Sequence, residues 1–267
     1  MTGQDYQAFS RFLETTCGIV LGEGKAYLVR SRLQPVLREA GLASLGELME
    51  AARRPDAGPL RERIVDAMTT NETLWFRDRH PYEILARHIL PELGTTDRRL
   101  RIWSAGCSTG EEPYSIAITV LEARGEGAGV EVLATDISAS ALARAEAGVY
   151  DERSLDRGVD PERRRRFFRR REDGRWQVTD AVRRLVRFQP QNLKDSYLLL
   201  GRFDVIFCRN VLIYFSPGLK ADILDRMAEA LRPRGYLVAG AAESPSGYSG
   251  RFEMVRAGPG IVYRRVD

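Results

Sequence analysis

The sequence predicts an α/β protein: a mostly parallel sheet covered by helices on both faces, preceded by a small all-α domain. Three observations carry this. Apolar residues recur at helical spacing through the first seventy positions, short apolar runs then alternate with helical or loop segments, and glycines and acids gather where those runs end.

The helical part is read from its periodicity and its punctuation. Tyr6, Phe9, Phe12 and Leu13 line one helix face, and Val29, Leu33, Val36, Leu37 and Ala40 line another. Pro35 is expected to kink or split that second helix, because proline lacks the backbone donor and crowds the preceding turn. Gly41 suits its C-terminal end. Ser44 and Glu47 make a capping box for a third helix through Ala52. A turn follows from Pro55 to Pro59, then a fourth helix from about Leu60 to Met68. Residues 1–70 form one expected domain and 71–267 a second.

In the second domain, Leu100–Ala105, Val130–Thr135, Leu185–Phe188, Phe203–Cys208, Tyr236–Ala241 and Gly260–Arg264 read as strands. Their alternation with helices implies a largely parallel sheet, whose strand C-termini, and any ligand, lie along one edge. Residues 151–184 interrupt the rhythm. They are rich in arginine at 163–166 and 169–171, and Asp173-Gly174 reads as a hairpin turn, so an inserted helix with a small antiparallel element is expected.

Composition narrows the function. No apolar run approaches the roughly 20 residues needed to span a bilayer, and the start has no signal-peptide layout, so a cytoplasmic protein without membrane insertion is expected. Cys17, Cys107 and Cys208 are widely spaced and odd in number, which argues against a disulfide framework and a zinc site. His80 and His88 are the only histidines and lie eight apart, a poor metal pair, so no metal is expected. A net charge of +4 is compatible with an acidic partner but does not say which kind.

Four segments carry chemistry. From Arg101 to Ser115 a strand enters a glycine-bearing turn, with Pro113 placed at the first helical position. Gly106 and Gly110 let the backbone approach a ligand closely. Glu111 and Glu112 would repel a phosphate but suit an adenosyl ligand bearing a sulfonium and an ammonium group. Acids that merely complement a helix dipole are the alternative. Asp136 ends the second strand, where its carboxylate can accept both ribose hydroxyls or cap the next helix. Arg209 and Asn210 follow the strand Phe203–Cys208, and Tyr214 comes shortly after, either at the ligand edge or as a structural hydroxyl. Across 69–77, polar Asn71, Thr73 and Arg77 alternate with bulky apolar residues, lining a cleft or simply joining two domains.

Together these strings resemble the CheR family of chemotaxis receptor methyltransferases. The matching residues are Thr69 to Thr73 with Phe76-Arg77, Trp103-Ser104-Ala105 with Ser108 to Ser115, the Asp136 strand, Asn192-Leu193, and Phe207 to Phe215. They fall in order along nearly the whole chain. The resemblance implies a Rossmann-like class I S-adenosylmethionine methyltransferase domain that esterifies glutamate side chains of methyl-accepting chemotaxis receptors and releases S-adenosylhomocysteine. It implies that Asn71, Thr73, Arg77, Glu112, Asp136, Asn192, Leu193, Arg209 and Asn210 contact the cofactor, and that Arg77 and Tyr214 lie near the methyl-transfer position. It implies too that the helical domain docks on the receptor's helical cytoplasmic region, with Lys25, Arg30, Arg32 and Arg38 as candidates. A monomer is expected.

Nucleic acid is not the expected substrate. The Asn/Asp-Pro-Pro-aromatic loop of base methyltransferases is replaced by Arg209-Asn210-Val211-Leu212, and neither Cys107 nor Cys208 follows a proline. The inserted element around Arg169–Trp176 is short, so a tether to a receptor's C-terminal tail is not expected. The arginine run at 163–171 reads either as a surface for an acidic partner or as a solvated helix face.

Overall fold

The computed structural model describes residues 2–94, 98–127 and 129–266. Four helices open the chain: α1 (Gly3–Cys17), α2 (Ala26–Ala40), α3 (Leu45–Arg53) and α4 (Gly58–Met68). Their apolar stripes meet in a core of their own, built on Phe9, Leu13, Val29, Leu33, Leu48, Ile64 and Met68. Gly41, at φ 66°, closes α2, and the Ser44 hydroxyl accepts the Glu47 N–H at the start of α3. The Glu47 carboxylate reaches back to the Ala43 N–H at 3.0 Å, one residue beyond the usual capping box. Pro35 does not split α2, which runs through it as one helix. Val29 and Leu33 before the proline and Val36 after it are all buried, and this shared stripe outweighs one missing backbone hydrogen bond.

Residues 69–79 lead into α5 (His80–Ile84), a π-helical turn (Leu85–Ile89) and α6 (Leu90–Leu93). Next come β1 (Leu100–Ala105), α7 (Glu111–Arg124), β2 (Val130–Asp136) and α8 (Ala139–Ala147). The interrupting segment holds β3 (Val149–Tyr150), α9 (Glu152–Asp156), α10 (Pro161–Phe167), β4 (Phe168–Arg170), β5 (Trp176–Val178) and α11 (Asp180–Arg183). The chain finishes with β6 (Val186–Pro190), β7 (Phe203–Cys208), α12 (Pro217–Ala230), β8 (Leu231–Ala239), β9 (Phe252–Ala257) and β10 (Gly260–Arg265).

The main sheet has the order β6-β2-β1-β7-β8-β10-β9. Its first five strands pair in parallel, and β10 runs antiparallel to both neighbours. β3, β5 and β4 form a separate antiparallel sheet. Apart from shifts of one or two residues at strand ends, the strand expectations change in two places. β8 begins at Leu231 rather than Tyr236, because an irregular ladder pairs Phe203 with Leu231 and resumes at Val205 with Tyr236. β9 carried no alternating pattern to announce it: only its ends, Phe252 and Ala257, are buried, and its six-residue register with β10 holds it.

Strand alternation sorts the core into two faces. Ile102, Val205 and Phe207 pack with Ile116, Ala117 and Val120 of α7, while Trp103, Ile206 and Cys208 pack with Ile223, Leu224 and Met227 of α12. Every residue of α7 from Glu111 to Leu121 is buried, which explains why its sequence has no polar stripe. Parallel pairing brings the C-terminal ends of β6, β2, β1 and β7 to one rim. There Ile137, just past β2, packs against the helical core.

Candidate functional site

The four strand ends, residues 68–77 and the end of α1 line one open cavity. All ten residues expected at the site line it: Asn71, Thr73, Arg77, Glu112, Asp136, Asn192, Leu193, Arg209, Asn210 and Tyr214.

Its floor is the turn after β1. A Cβ on Gly106 (φ 82°) would lie 2.5 Å from Cγ2 of Val211, so only glycine lets this turn pack on the loop after β7. Ser108 is held at φ 50°, a strained position for a residue with a side chain, and its hydroxyl donates to the Asn71 carbonyl at 2.9 Å. The helix begins at Glu111 with Gly110 as its cap, so Pro113 sits two residues deeper than expected, still among the first-turn positions that lack a helical acceptor. The two acids diverge. Glu112 lines the cavity, whereas Glu111 does not: its carboxylate takes the Thr109 hydroxyl at 2.7 Å. The pairing of Glu111 with a cationic ligand is therefore corrected.

Asp136 is placed by β2. Its Oδ2 accepts the Ser108 N–H at 2.8 Å and its Oδ1 the Ser138 N–H at 2.9 Å. Ser138, not Asp136, caps α8, its hydroxyl accepting the Ala141 N–H. Burial raises the Asp136 pKa above its ordinary value, opposed by the N–H bonds from Ser138, Ser108 and Ile137. Each oxygen keeps lone pairs for a further donor.

Arg209 is nearly sealed from solvent, its side chain 2% exposed. It donates to Glu112 at 3.2 Å, to Asp78 at 2.6 Å and to the Arg77 carbonyl at 3.0 Å. Glu112 also accepts the Ser104 hydroxyl at 2.8 Å; burial raises its pKa and Arg209 opposes the rise. Arg77 and Tyr214 differ in kind. Neither the Arg77 guanidinium nor the Tyr214 hydroxyl has a protein partner among the described residues, and both line the cavity.

Asn210 sits at φ 60°, a left-handed conformation that asparagine tolerates better than most residues. Its side-chain Oδ1 is buried with no partner. The Asn192 amide instead donates to the Thr16 carbonyl at 2.9 Å, and its Oδ1 accepts the Lys194 N–H, so this side chain ties the end of α1 to the rim. Cys17, Ile19, Ile137 and Gln191 also line the cavity and were not anticipated. The first two arrive through an antiparallel bridge, Ile19 to Phe215, which leaves no local mark in the sequence. Burial pushes the Cys17 thiol up to about 11.

Two candidate surfaces are smaller than the sequence implied. Arg32 turns inward, donating to the Met68 and Thr69 carbonyls at 2.8 Å each. In the arginine run, Arg163 forms a two-pronged pair with Glu122 at 2.9 Å and lies over the Phe76 ring, and Arg164 pairs with Glu152 and Asp156.

The residues fit an adenosyl cofactor. Asp136 offers two half-used acceptors for a diol, Leu193 and Ile137 supply apolar walls, and the orphaned Asn210 oxygen awaits a donor. An open, mostly parallel sheet with such a rim defines an S-adenosylmethionine-dependent methyltransferase. Comparison with protein families agrees: residues 71–261 match the CheR methyltransferase SAM binding domain, and residues 4–69 match the CheR methyltransferase all-alpha domain. The chain belongs to the CheR methyltransferase family. It is 55% identical over 268 residues to a chemotaxis protein methyltransferase of Vibrio parahaemolyticus, covering 99% of this chain and 98% of that one. It is 50% identical to chemotaxis protein methyltransferase 1 of Pseudomonas aeruginosa, covering 97% of both.

Proposed function

We propose that the chain moves the methyl group of S-adenosylmethionine onto glutamate side-chain carboxylates of methyl-accepting chemotaxis receptors, leaving glutamate methyl esters and S-adenosylhomocysteine. The pairing of the cavity's polar groups carries this reading. Arg209 is taken up by Glu112 and Asp78, while the Arg77 cation and Tyr214 phenol stand without partners among the described residues. A cation and a phenol lining one cavity with no partner among the described residues suit an incoming carboxylate.

Asn71, Thr73, Glu112, Asp136, Asn192, Leu193, Arg209 and Asn210 form the cofactor site. Within it Asp136 accepts ribose hydroxyls, Leu193 flanks the adenine, and the Asn210 oxygen accepts from the ammonium group. Arg77, at the edge of both sites, orients the acceptor with Tyr214. When bound, the cofactor supplies a methyl on a cationic sulfur. A glutamate, with a pKa near 4.3, is already ionised at neutral pH, so the protein's task is alignment rather than proton removal.

Residues 1–70 serve as the receptor-docking domain and 71–267 as the catalytic one. Lys25, Arg30 and Arg38 support docking, being exposed and free of acidic partners among the described residues. The turn of the β4–β5 hairpin is tight, closed by the Arg171 N–H to the Arg175 carbonyl at 2.8 Å, which favours a receptor tail-independent enzyme. The protein acts as a cytoplasmic monomer; no helix among the described residues is long and apolar enough to cross a membrane.

Methyl-labelled cofactor incubated with receptor-bearing membranes and, separately, with RNA tests the proposal. The expected label sits in receptor and leaves as methanol in mild base. Protein label that survives alkali, or label in RNA alone, overturns it. Full turnover in Tyr214→Phe would remove the phenol from the chemistry.

A further inference from the structure

Beyond the cavity lining lies a buried carboxylate that none of the expectations included. Glu243, in the loop after β8, is 6% exposed and pairs with no cation among the described residues. Burying a carboxylate this way is costly unless oriented donors replace its water. Three backbone N–H groups do so, from Asn210, from Ile213 at 3.1 Å and from Gly240 at 3.1 Å. Donors aimed at a full charge make stronger hydrogen bonds than neutral pairs do.

The donors' places matter. Asn210 holds the strained φ and presents the unpartnered oxygen to the cavity. Ile213 lies inside the 3₁₀ turn Leu212–Tyr214, one residue before the phenol. One carboxylate thus clamps both ends of a four-residue segment whose first member faces the cofactor site and whose next residue is Tyr214. A Cβ at Gly240 would lie 2.3 Å from Glu243 Oε2 and 3.0 Å from the Asn210 nitrogen, so a side chain there would push the carboxylate off its donors.

We propose that Glu243 is a positioning residue for methyl transfer, holding Asn210 against the cofactor and the Tyr214 turn against the acceptor. The inference rests on the roles given above to Asn210 and Tyr214. Without the clamp, nothing else among the described hydrogen bonds holds the Asn210 N–H, and the backbone relaxes from its left-handed conformation.

A double-mutant cycle on the full chain tests this, with S-adenosylhomocysteine affinity read by calorimetry and folding by thermal melting. Glu243→Gln keeps the shape but sets an amide N–H₂ against a backbone donor, and is expected to weaken S-adenosylhomocysteine binding about tenfold. Asn210→Ala is expected to weaken it to a similar degree. Because the first change acts through the second residue, Glu243→Gln in the Asn210→Ala background should add less than twofold. Additive losses would overturn the proposal, since a loop that merely folds poorly would lower affinity in either background. Unchanged affinity in Asn210→Ala alone would instead remove Asn210 from the cofactor site and take the clamp's purpose with it, a failure distinct from additivity. Should Glu243→Gln not fold, Glu243→Asp keeps the charge at shorter reach and runs the same cycle.

Discussion

Asp136→Asn is the sharpest probe of the cofactor site, because the substitution changes one atom and the charge while leaving the volume. In the native carboxylate, Oδ2 takes the Ser108 N–H at 2.8 Å and Oδ1 the Ser138 N–H at 2.9 Å. Two acceptor oxygens therefore serve two backbone donors and still face the cavity. The asparagine keeps one oxygen, points an N–H₂ group at the other donor and carries no charge, so the charge-assisted bond proposed for a ribose hydroxyl is expected to be lost. Such a bond contributes about 1.5–3 kcal/mol, or roughly 10- to 150-fold in affinity. Folding should suffer less, because the loss of one backbone bond is offset by relief of the burial that raises this carboxyl's pKa. The assay is titration calorimetry with S-adenosylhomocysteine beside a thermal melt. An Asn variant that binds within twofold of wild type would show that the carboxylate does not receive the diol, and the reasoning from the strand end would fall.

Three further predictions concern pH, catalysis and packing. The Asp136 pKa is raised in the fold, so its stability contribution is fully present below the unfolded value of 3.8 and is lost as pH rises through the folded value. Cofactor binding, for which we propose Asp136 as the ionised acceptor, moves the other way and should weaken as pH falls through that window; calorimetry from neutral to acid pH checks this, and Asp136→Asn should lack the response. Arg77→Ala should lower receptor methylation by about 100-fold or more, while leaving the melting temperature within about 2 °C, because its guanidinium has no protein partner among the described residues to lose. In Gly158→Ala, the new Cβ at φ 147° would fall 2.1 Å from the Trp75 carbonyl, so a loss of about 2–4 kcal/mol and a markedly lower melting temperature are expected.

The legible parts of this protein are those whose cause is local. β1 and β7 run over Leu100–Ala105 and Phe203–Cys208 as expected, because each is a short, largely apolar run bounded by charge and glycine. The site's glycines and acids were legible for a similar reason: Gly106 and Asp136 stand where a parallel strand must end near a ligand. What stayed hidden depends on closure in three dimensions. Cys17 and Ile19 reach the cavity only because the segment after α1 pairs with Phe215. Glu243 follows a strand end like many others, and its meaning lies in three donors, two of them about thirty residues away in sequence. Pro35 misled for the converse reason, since a strong local signal was overridden by a buried stripe.

Arg209 shows why the interdomain segment takes the path it does. A buried ion pair is seldom worth more than a well-packed apolar replacement, so stability alone is a poor reason to seal a guanidinium from water. Position is a better one. Its bonds join three separate elements: the loop after β7, Glu112 on α7, and the backbone and side chain at Arg77 and Asp78. The Arg77 carbonyl is thereby fixed while the Arg77 guanidinium stays at the cavity, unpaired among the described residues. One arginine holds the chain so that the next can act. Replacing Arg209 with leucine would leave Glu112 buried without its cation and free the segment that carries Asn71, Thr73 and Arg77. Cofactor affinity and fold stability should then fall together, unlike in Arg77→Ala, where the fold should stay intact.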